Sequence, residues 1–583
     1  MAREKSSGRR GFLVLVALIA IGAAVFENFV GSGPAGTPDQ PGAPAHSRTM
    51  RYDDAVEAVR DMRAQVDWRE DIVTERARIE LGGVRDLKKS LPAIDTFPLV
   101  VVPAAGASAA TVEIFVSTEK SGSGTDGWMV KVAEDFNQAG QRLASGRQAQ
   151  VAIRKIASGT GHDFIASRKH VPQGYSPSNA LWVSMVEAEG VPVEPVADST
   201  VGNVAGVVMK QSVAARLREK YGKVDVPTLV DAVVQGSLVM GYTDPFASST
   251  GLNFLVTVLS RFSDGKPETM LSPDVVSAFE SFQKGVPFVA LTTLQMRESV
   301  ERSGSLDAFV MEYQTFAKTP TLQSGYEFIP FGVRHDNPLV GLGRLDADQR
   351  ETLKAFAEFG RQSRYKRLAK EYGFDPAIDY QSAYPVPRGD TLVQAQRLWK
   401  EKKDAGRPIA AVFVCDVSGS MRGVRLAQLK KALLGGSEFI SPTNSIGLVV
   451  FNHQVTTVLP IRPFDLSQKA AFHAAVKRME AEGNTAMYDG AVVGLNMLID
   501  EKARNPSVKP VLFVLTDGDT NRGFNFDGSA PVFEGLGIPI YTIGYEAKID
   551  QLKRLSSLVE AASLNAGEGE IEYKIGALLN AEM

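Results

Sequence analysis

The apolar run Ile409-Ala410-Ala411-Val412-Phe413-Val414-Cys415 ends in Asp416-Val417-Ser418-Gly419-Ser420. A run of strand length that stops on an acid and two hydroxyls reads as a buried strand whose carboxyl end opens onto a loop. Two more stretches share the pattern: Gly483-Asn484-Thr485-Ala486-Met487-Tyr488-Asp489, and Asp517-Gly518 after Pro510–Thr516. Each stands where a strand gives way to a loop and helix, and each offers only oxygen. In an open α/β sheet such loops converge on one crevice. Hard cations such as Mg²⁺ take oxygen ligands in near-octahedral geometry and keep several waters. An ion held there mainly by hydroxyls stays electrophilic and accepts a carboxylate from a partner. Taken singly, each loop reads equally well as a helix cap or a turn; three in one series point to a metal.

Outward from these loops the pattern is a βα series. A helix is expected over Val424–Leu434, then strands Ile446–Phe451 and Val455–Leu459. Only Asn452-His453-Gln454 separates that pair, which predicts a hairpin and one antiparallel edge strand ended by Pro460. Helices over Gln468–Met479 and Met487–Asp500, strands Val511–Leu515 and Ile538–Ile543, and helices near Asp550–Ala561 and Lys574–Leu579 complete a doubly wound, Rossmann-like order. The sequence D-x-S-x-S, then a Thr, then an Asp after a strand resembles the von Willebrand factor type A domain and its metal-ion-dependent adhesion site, over residues 407–583. That resemblance implies Ser418, Ser420 and Thr485 as direct metal ligands, with Asp416 and Asp517 acting mostly through metal-bound water. It also implies Asp489, one helical turn on, as a support for Thr485, and Mg²⁺ (or Mn²⁺ or Ca²⁺) as the ion. The implied partner is a protein or cell-surface ligand with an exposed carboxylate.

Residues 97–390 alternate strands and helices: runs at Thr111–Val116, Gln150–Ile156, Ala180–Val183, Val204–Met209 and Ser237–Tyr242, with helices at Met129–Phe136, Ser212–Lys220 and Leu252–Phe262. This predicts a mainly parallel sheet or two linked ones. Hydroxyls and glycines stand at the strand ends, where helix N-termini hold anions without Lys or Arg. Ser117, Ser158, Ser178, Asn179, Ser248, Ser249 and Thr250 are the candidate ligands of a small oxyanion or other polar solute. The stretch resembles the type II periplasmic solute-binding proteins, particularly those for tetrahedral oxyanions, on Ser117–Lys120 with Trp128 and Phe136-Asn137, Ser176–Asn179 with Trp182, and Thr243–Gly251. An α/β architecture of a type II solute-binding-like domain followed by a type A domain is therefore expected, with a helical linker at 391–406.

Arg3, Lys5, Arg9 and Arg10, in a basic segment 1–10 on the cytoplasmic side, precede an apolar stretch at 11–30. The stretch reads as a transmembrane anchor helix or as a cleaved signal peptide; both export the remainder. A Gly/Pro-rich linker (31–48) is expected next, then a charged segment (49–96) that forms a helical stalk or a helix packed on the next domain, broken near Gly82-Gly83. Anchor, solute-binding-like domain and type A domain in that order resemble a bacterial envelope protein, membrane-anchored with its bulk extracytoplasmic. At 583 residues two to four domains are expected. With 64 basic and 67 acidic residues, no basic excess speaks for nucleic acid. Cys415 is the only cysteine, which excludes an internal disulfide and suits a buried small hydrophobe. No G-x-S-x-G elbow, phosphate loop or H-E-x-x-H pair occurs among the six histidines (His46, His162, His170, His335, His453, His473). A binding protein, not an enzyme, is the expectation. The alternative is a solute receptor for uptake or sensing through residues 97–390.

Overall fold

The computed structural model describes residues 50–79, 91–103, 109–286, 288–290, 296–297, 306–375, 378–403, 407–518, 520–545, 549–559, 561, 563–566 and 571–583. The basic segment 1–10, the candidate anchor 11–30, the linker 31–48 and Gly82-Gly83 lie outside the described residues. Among the described residues no helix is long and apolar enough to cross a membrane.

The strands, in chain order, are β1 (Trp68–Glu70), β2 (Leu99–Val101), β3 (Ala109–Val116), β4 (Gln148–Lys155), β5 (Gly174–Ser176), β6 (Val193–Ala197), β7 (Ala205–Lys210), β8 (Met240–Thr243), β9 (Phe288–Ala290), β10 (Ala308–Glu312), β11 (Tyr326–Pro330), β12 (Leu339–Leu342), β13 (Ile409–Asp416), β14 (Ser445–Phe451), β15 (Val455–Pro463), β16 (Lys509–Thr516), β17 (Ile540–Tyr545) and β18 (Ser563–Ala566). They form three sheets. The seven-stranded sheet runs β1-β15-β14-β13-β16-β17-β18 and is parallel except for β14 against β15.

Strand β13 is buried at every position because both sheet faces are covered, which is why its sequence is an unbroken apolar run. Its alternate residues point to opposite layers. Ala411, Phe413 and Cys415 meet Leu429, Phe472 and Ile575 of the helices Val424–Gly436, Leu466–Arg478 and Ile571–Glu582. Ala410, Val412 and Val414 meet Leu495 and Phe533 of the helices Met487–Arg504 and Phe526–Leu536. Burial pushes the Cys415 thiol pKa far above its ordinary value, as expected of a core residue.

The helix in the described part of 49–96 is packed rather than a stalk, but it packs on this sheet's helices and not on the domain next in sequence, and the edge expected at β15 is absent. This helix, Tyr52–Gln65, packs on the helices Met487–Arg504 and Phe526–Leu536 through Ala55, Val59 and Met62. The chain then adds β1 alongside β15, pairing Trp68 with Val455 and Glu70 with Thr457. Strand β15 is therefore not an edge, and Pro460 does not end it. The register shifts where Ile446 pairs with Arg462 and Leu448 with Leu459, so Pro460 sits in an irregularity of the ladder that needs no N–H from it.

Residues 97–390 form two linked sheets, each mixed rather than mainly parallel. One runs β2-β4-β3-β5-β12-β6 and the other β11-β7-β10-β8-β9. The chain passes between these lobes twice, after β6 and after β11. The antiparallel pairings β2 with β4, β12 with β5 and β6, and β7 with β10 and β11, account for the mixing. Ala180–Val183 is not a strand but the first turn of the helix Ala180–Ala188, capped by Asn179. The helix Gly389–Lys402 packs on Ala180–Ala188 of one lobe and on Ser249–Phe262 of the other. Trp399 Nε1 donates to Tyr242 Oη (2.6 Å), and Gln396 Nε2 to the Pro245 carbonyl (2.8 Å). The lobes touch the seven-stranded unit at Tyr573, whose hydroxyl meets Thr160 Oγ1 at 3.0 Å.

Candidate functional site

Strand β13 delivers Asp416 to the carboxyl end of the seven-stranded sheet, with no exposed surface. Its Oδ1 accepts from the Ser418 amide (2.7 Å), and its Oδ2 accepts from Thr516 Oγ1 (2.5 Å) on the neighbouring β16. Ser418 Oγ and Ser420 Oγ lie 3.1 Å apart, and Ser420 Oγ donates to Asp517 Oδ1 (2.8 Å). Asp416, Ser418, Ser420 and Asp517 thus form one hydrogen-bonded chain across the ends of two adjacent parallel strands.

Thr485 reaches the crevice on a loop bonded to both others. The Gly419 amide donates to the Gly483 carbonyl (2.9 Å), and the Glu482 amide to the Val417 carbonyl (2.8 Å). The Thr485 amide donates to Asn521 Oδ1 (2.9 Å), while its carbonyl accepts from the Asn521 amide (2.9 Å) and Thr520 Oγ1 (3.0 Å). Its side-chain hydroxyl has no hydrogen-bond partner among the described residues. Gly483 makes this approach possible: its φ is +78°, and a Cβ there would stand 2.3 Å from His453 Nδ1.

Asp489 has no hydrogen bond to Thr485 among the described residues. Its carboxylate takes the Phe524 amide (2.8 Å) and lies where a Cβ on Gly523 would fall, so it anchors the segment after Asn521 instead.

Charge in the crevice is sparse. Burial raises the Asp416 pKa, against the bonds from Thr516 and Ser418, and the nearby Asp517 raises it further. The Asp517 side chain is almost wholly buried; its Oδ2 accepts from Arg425 Nη1 (2.8 Å), which also reaches the Ser420 carbonyl (3.2 Å). Among the described residues no group of three or more His, Cys, Asp or Glu is placed to hold a metal ion. Any metal here must rest on three hydroxyls and two carboxylates, a donor set that fits a hard cation. Thr516 and Arg425 escaped the sequence reading. The Thr516-Asp517-Gly518 turn carried the signal for the first; nothing local marked the second.

The seven candidate solute ligands are brought together between the lobes, but each has a protein partner. Ser117 Oγ donates to Glu119 Oε1 and accepts from Lys120 Nζ. Ser178 Oγ donates to Glu119 Oε1 (2.7 Å), and Ser158 Oγ accepts from the Ser178 amide (3.4 Å). Asn179 Nδ2 donates to the Ser249 carbonyl (3.2 Å), and Ser248 caps the helix Ser249–Phe262. Ser249 Oγ accepts from Trp182 Nε1 (2.9 Å), and Thr250 Oγ1 reaches Glu312 Oε1 (3.4 Å).

The decisive groups here are ones the sequence reading passed over. Lys120 is fully buried, its Nζ bonded to the Ser176 carbonyl and Asn337 Oδ1, both at 2.9 Å. Burial lowers its pKa to about 8, against the pull of Glu119 and Glu312. Glu312 is held by His335 Nδ1 (2.9 Å) and Asn203 Nδ2 (2.8 Å).

Residues 411–567 match the family model described as the von Willebrand factor type A domain. A stretch of 151 residues is 35% identical to the inter-alpha-trypsin inhibitor heavy chain H3 of Homo sapiens, covering 24% of this chain and 16% of that protein. Another of 172 residues is 30% identical to an uncharacterized protein of Synechocystis sp., covering 29% of this chain and 38% of that one. The chain thus spans well under half the length of these relatives. Among solved structures, a periplasmic thiamin binding protein is similar over 52% of this chain and 99% of its own, at 11% identity and a TM-score of 0.36. The C-terminal part of the chain carries a von Willebrand factor type A domain.

Proposed function

We propose that this chain is an exported, envelope-bound binding protein that captures an acidic group on a protein or surface partner through a divalent cation in the three-loop crevice. The hydrogen-bonded series Asp416–Ser418–Ser420–Asp517 at the ends of adjacent parallel strands carries this reading. Ser418, Ser420 and Thr485 would supply hydroxyl oxygens and Asp416 and Asp517 carboxylate oxygens, to Mg²⁺ or to Mn²⁺ or Ca²⁺. When bound, the ion offers an electrophilic position for a partner's carboxylate oxygen. Thr516 fixes the Asp416 carboxylate, and Arg425 orients Asp517 while competing for its charge. No step here is catalytic. Export and membrane attachment rest on the charge and hydropathy of residues 1–30 alone. An oxyanion receptor is not part of the proposal, because two carboxylates, Glu119 and Glu312, line the space between the lobes.

The test is capture from envelope extracts by the full chain and by Thr485→Ala, each in Mg²⁺ and in chelator. A partner retained only by the unaltered chain in Mg²⁺ is expected; retention indifferent to both changes refutes the proposal.

A further inference from the structure

We infer that the space between the lobes is a seat for a small carboxylate, filled from within by Glu119. The inference is independent of the metal crevice. Glu119 is only 8% exposed, and its Oε1 accepts from two hydroxyls. Ser117 and Ser178 donate their hydroxyls, and Lys120 Nζ lies 3.7 Å away. These are the groups an external anion would need: two hydroxyls and one buried ammonium, whose other neighbouring carboxylate is Glu312. The second oxygen, Oε2, has no hydrogen-bond partner among the described residues. The residue lines a cavity of about 30 Å³ shared with Thr118, Ser158, Ser249, Glu312 and Thr315. A single water needs roughly 10–15 Å³ of such space, so about two waters fit and a polyatomic anion does not.

The walls of the seat hold each other directly. The Gly159 amide of one lobe donates to the Ala247 carbonyl of the other (3.2 Å). A Cβ on Gly159 would lie 1.9 Å from the Phe246 carbonyl oxygen, so only glycine allows the approach. Gln314 Nε2 crosses to the Thr125 carbonyl (3.1 Å) and Asp126 Oδ1 (3.0 Å). Glu119 therefore supplies a counter-charge 3.7 Å from Lys120 Nζ inside a cleft already closed, and an outside anion finds both its donors and its volume taken.

The experiment uses the full chain in chelator, below neutral pH, with formate, acetate and sulfate as probes and chloride at matched ionic strength as control. The unaltered chain should show no saturable shift in melting temperature with any of them. Glu119→Ala should melt lower, and formate or acetate should restore the loss saturably. Glu119→Ala with Lys120→Met should lose that rescue. Should Glu119→Ala fail to fold, the yield of refolding with and without formate becomes the readout, and recovery in formate is expected. Binding of any probe by the unaltered chain, or a Glu119→Ala chain that formate neither stabilises nor refolds, overturns the inference.

Discussion

Val59→Ala is expected to loosen one layer of the type A domain although Val59 lies some 350 residues before that domain's first strand in the chain. Val59 has no exposed surface and packs with Met62 against the helices Met487–Arg504 and Phe526–Leu536. Deleting two methyl groups costs about 1.6 kcal/mol of transfer free energy. Incomplete collapse of the cavity brings the total to about 2–3 kcal/mol. At 1.4 kcal/mol per decade, amides protected by that layer should exchange about 30- to 140-fold faster. Hydrogen exchange read by mass spectrometry on the full chain resolves this by peptide. Faster exchange is expected in peptides from Phe526–Leu536, Met487–Arg504 and β15, with peptides from the lobes unchanged; Glu57→Ala, on the exposed face, should change none. If Val59→Ala leaves those peptides at the rates of the unaltered chain, the amino-terminal helix is no part of that layer and the reasoning fails.

Gly483→Ala places a side chain at φ +78° and against His453 Nδ1, so a loss of about 1–2 kcal/mol is expected in denaturant titration, together with weaker metal binding. An unchanged midpoint and affinity would show that the Thr485 loop does not depend on this approach. Asp244, fully buried beside Glu582, has its pKa raised to about 7, first by burial. The folded state therefore keeps the proton between about pH 4 and 7 while the unfolded state releases it. Stability should fall across that window by on the order of 4 kcal/mol relative to Asp244→Asn. Melting curves of the two chains that run parallel from acid to neutral pH would contradict this.

The carboxyl ends of β13 and β16 were legible because a strand covered on both faces must be apolar throughout, which leaves Asp416 and Asp517 conspicuous where it stops. The loop order did the rest. The role of residues 52–70 was not legible: an amphipathic helix shows which face it buries but not against what, and the strand partner of Trp68 is Val455. Pro460 misled for a related reason, since a missing N–H matters only if the ladder asks for one there. Between the lobes, Ser117 and Ser178 stand at strand ends, and Glu119, two residues after Ser117, takes a bond from each. A carboxylate beside a hydroxyl in sequence gives no sign of whether it turns inward.

Titration calorimetry of Mn²⁺ and Mg²⁺ into the full chain, beside Thr485→Ala and Asp517→Asn, puts the crevice to the most direct test. One saturable site, weakened or lost in both variants while the melting temperature holds, is what the donor arrangement requires. Heats that never saturate, or identical binding in all three chains, would mean that Asp416, Ser418, Ser420, Thr485 and Asp517 hold each other and nothing else.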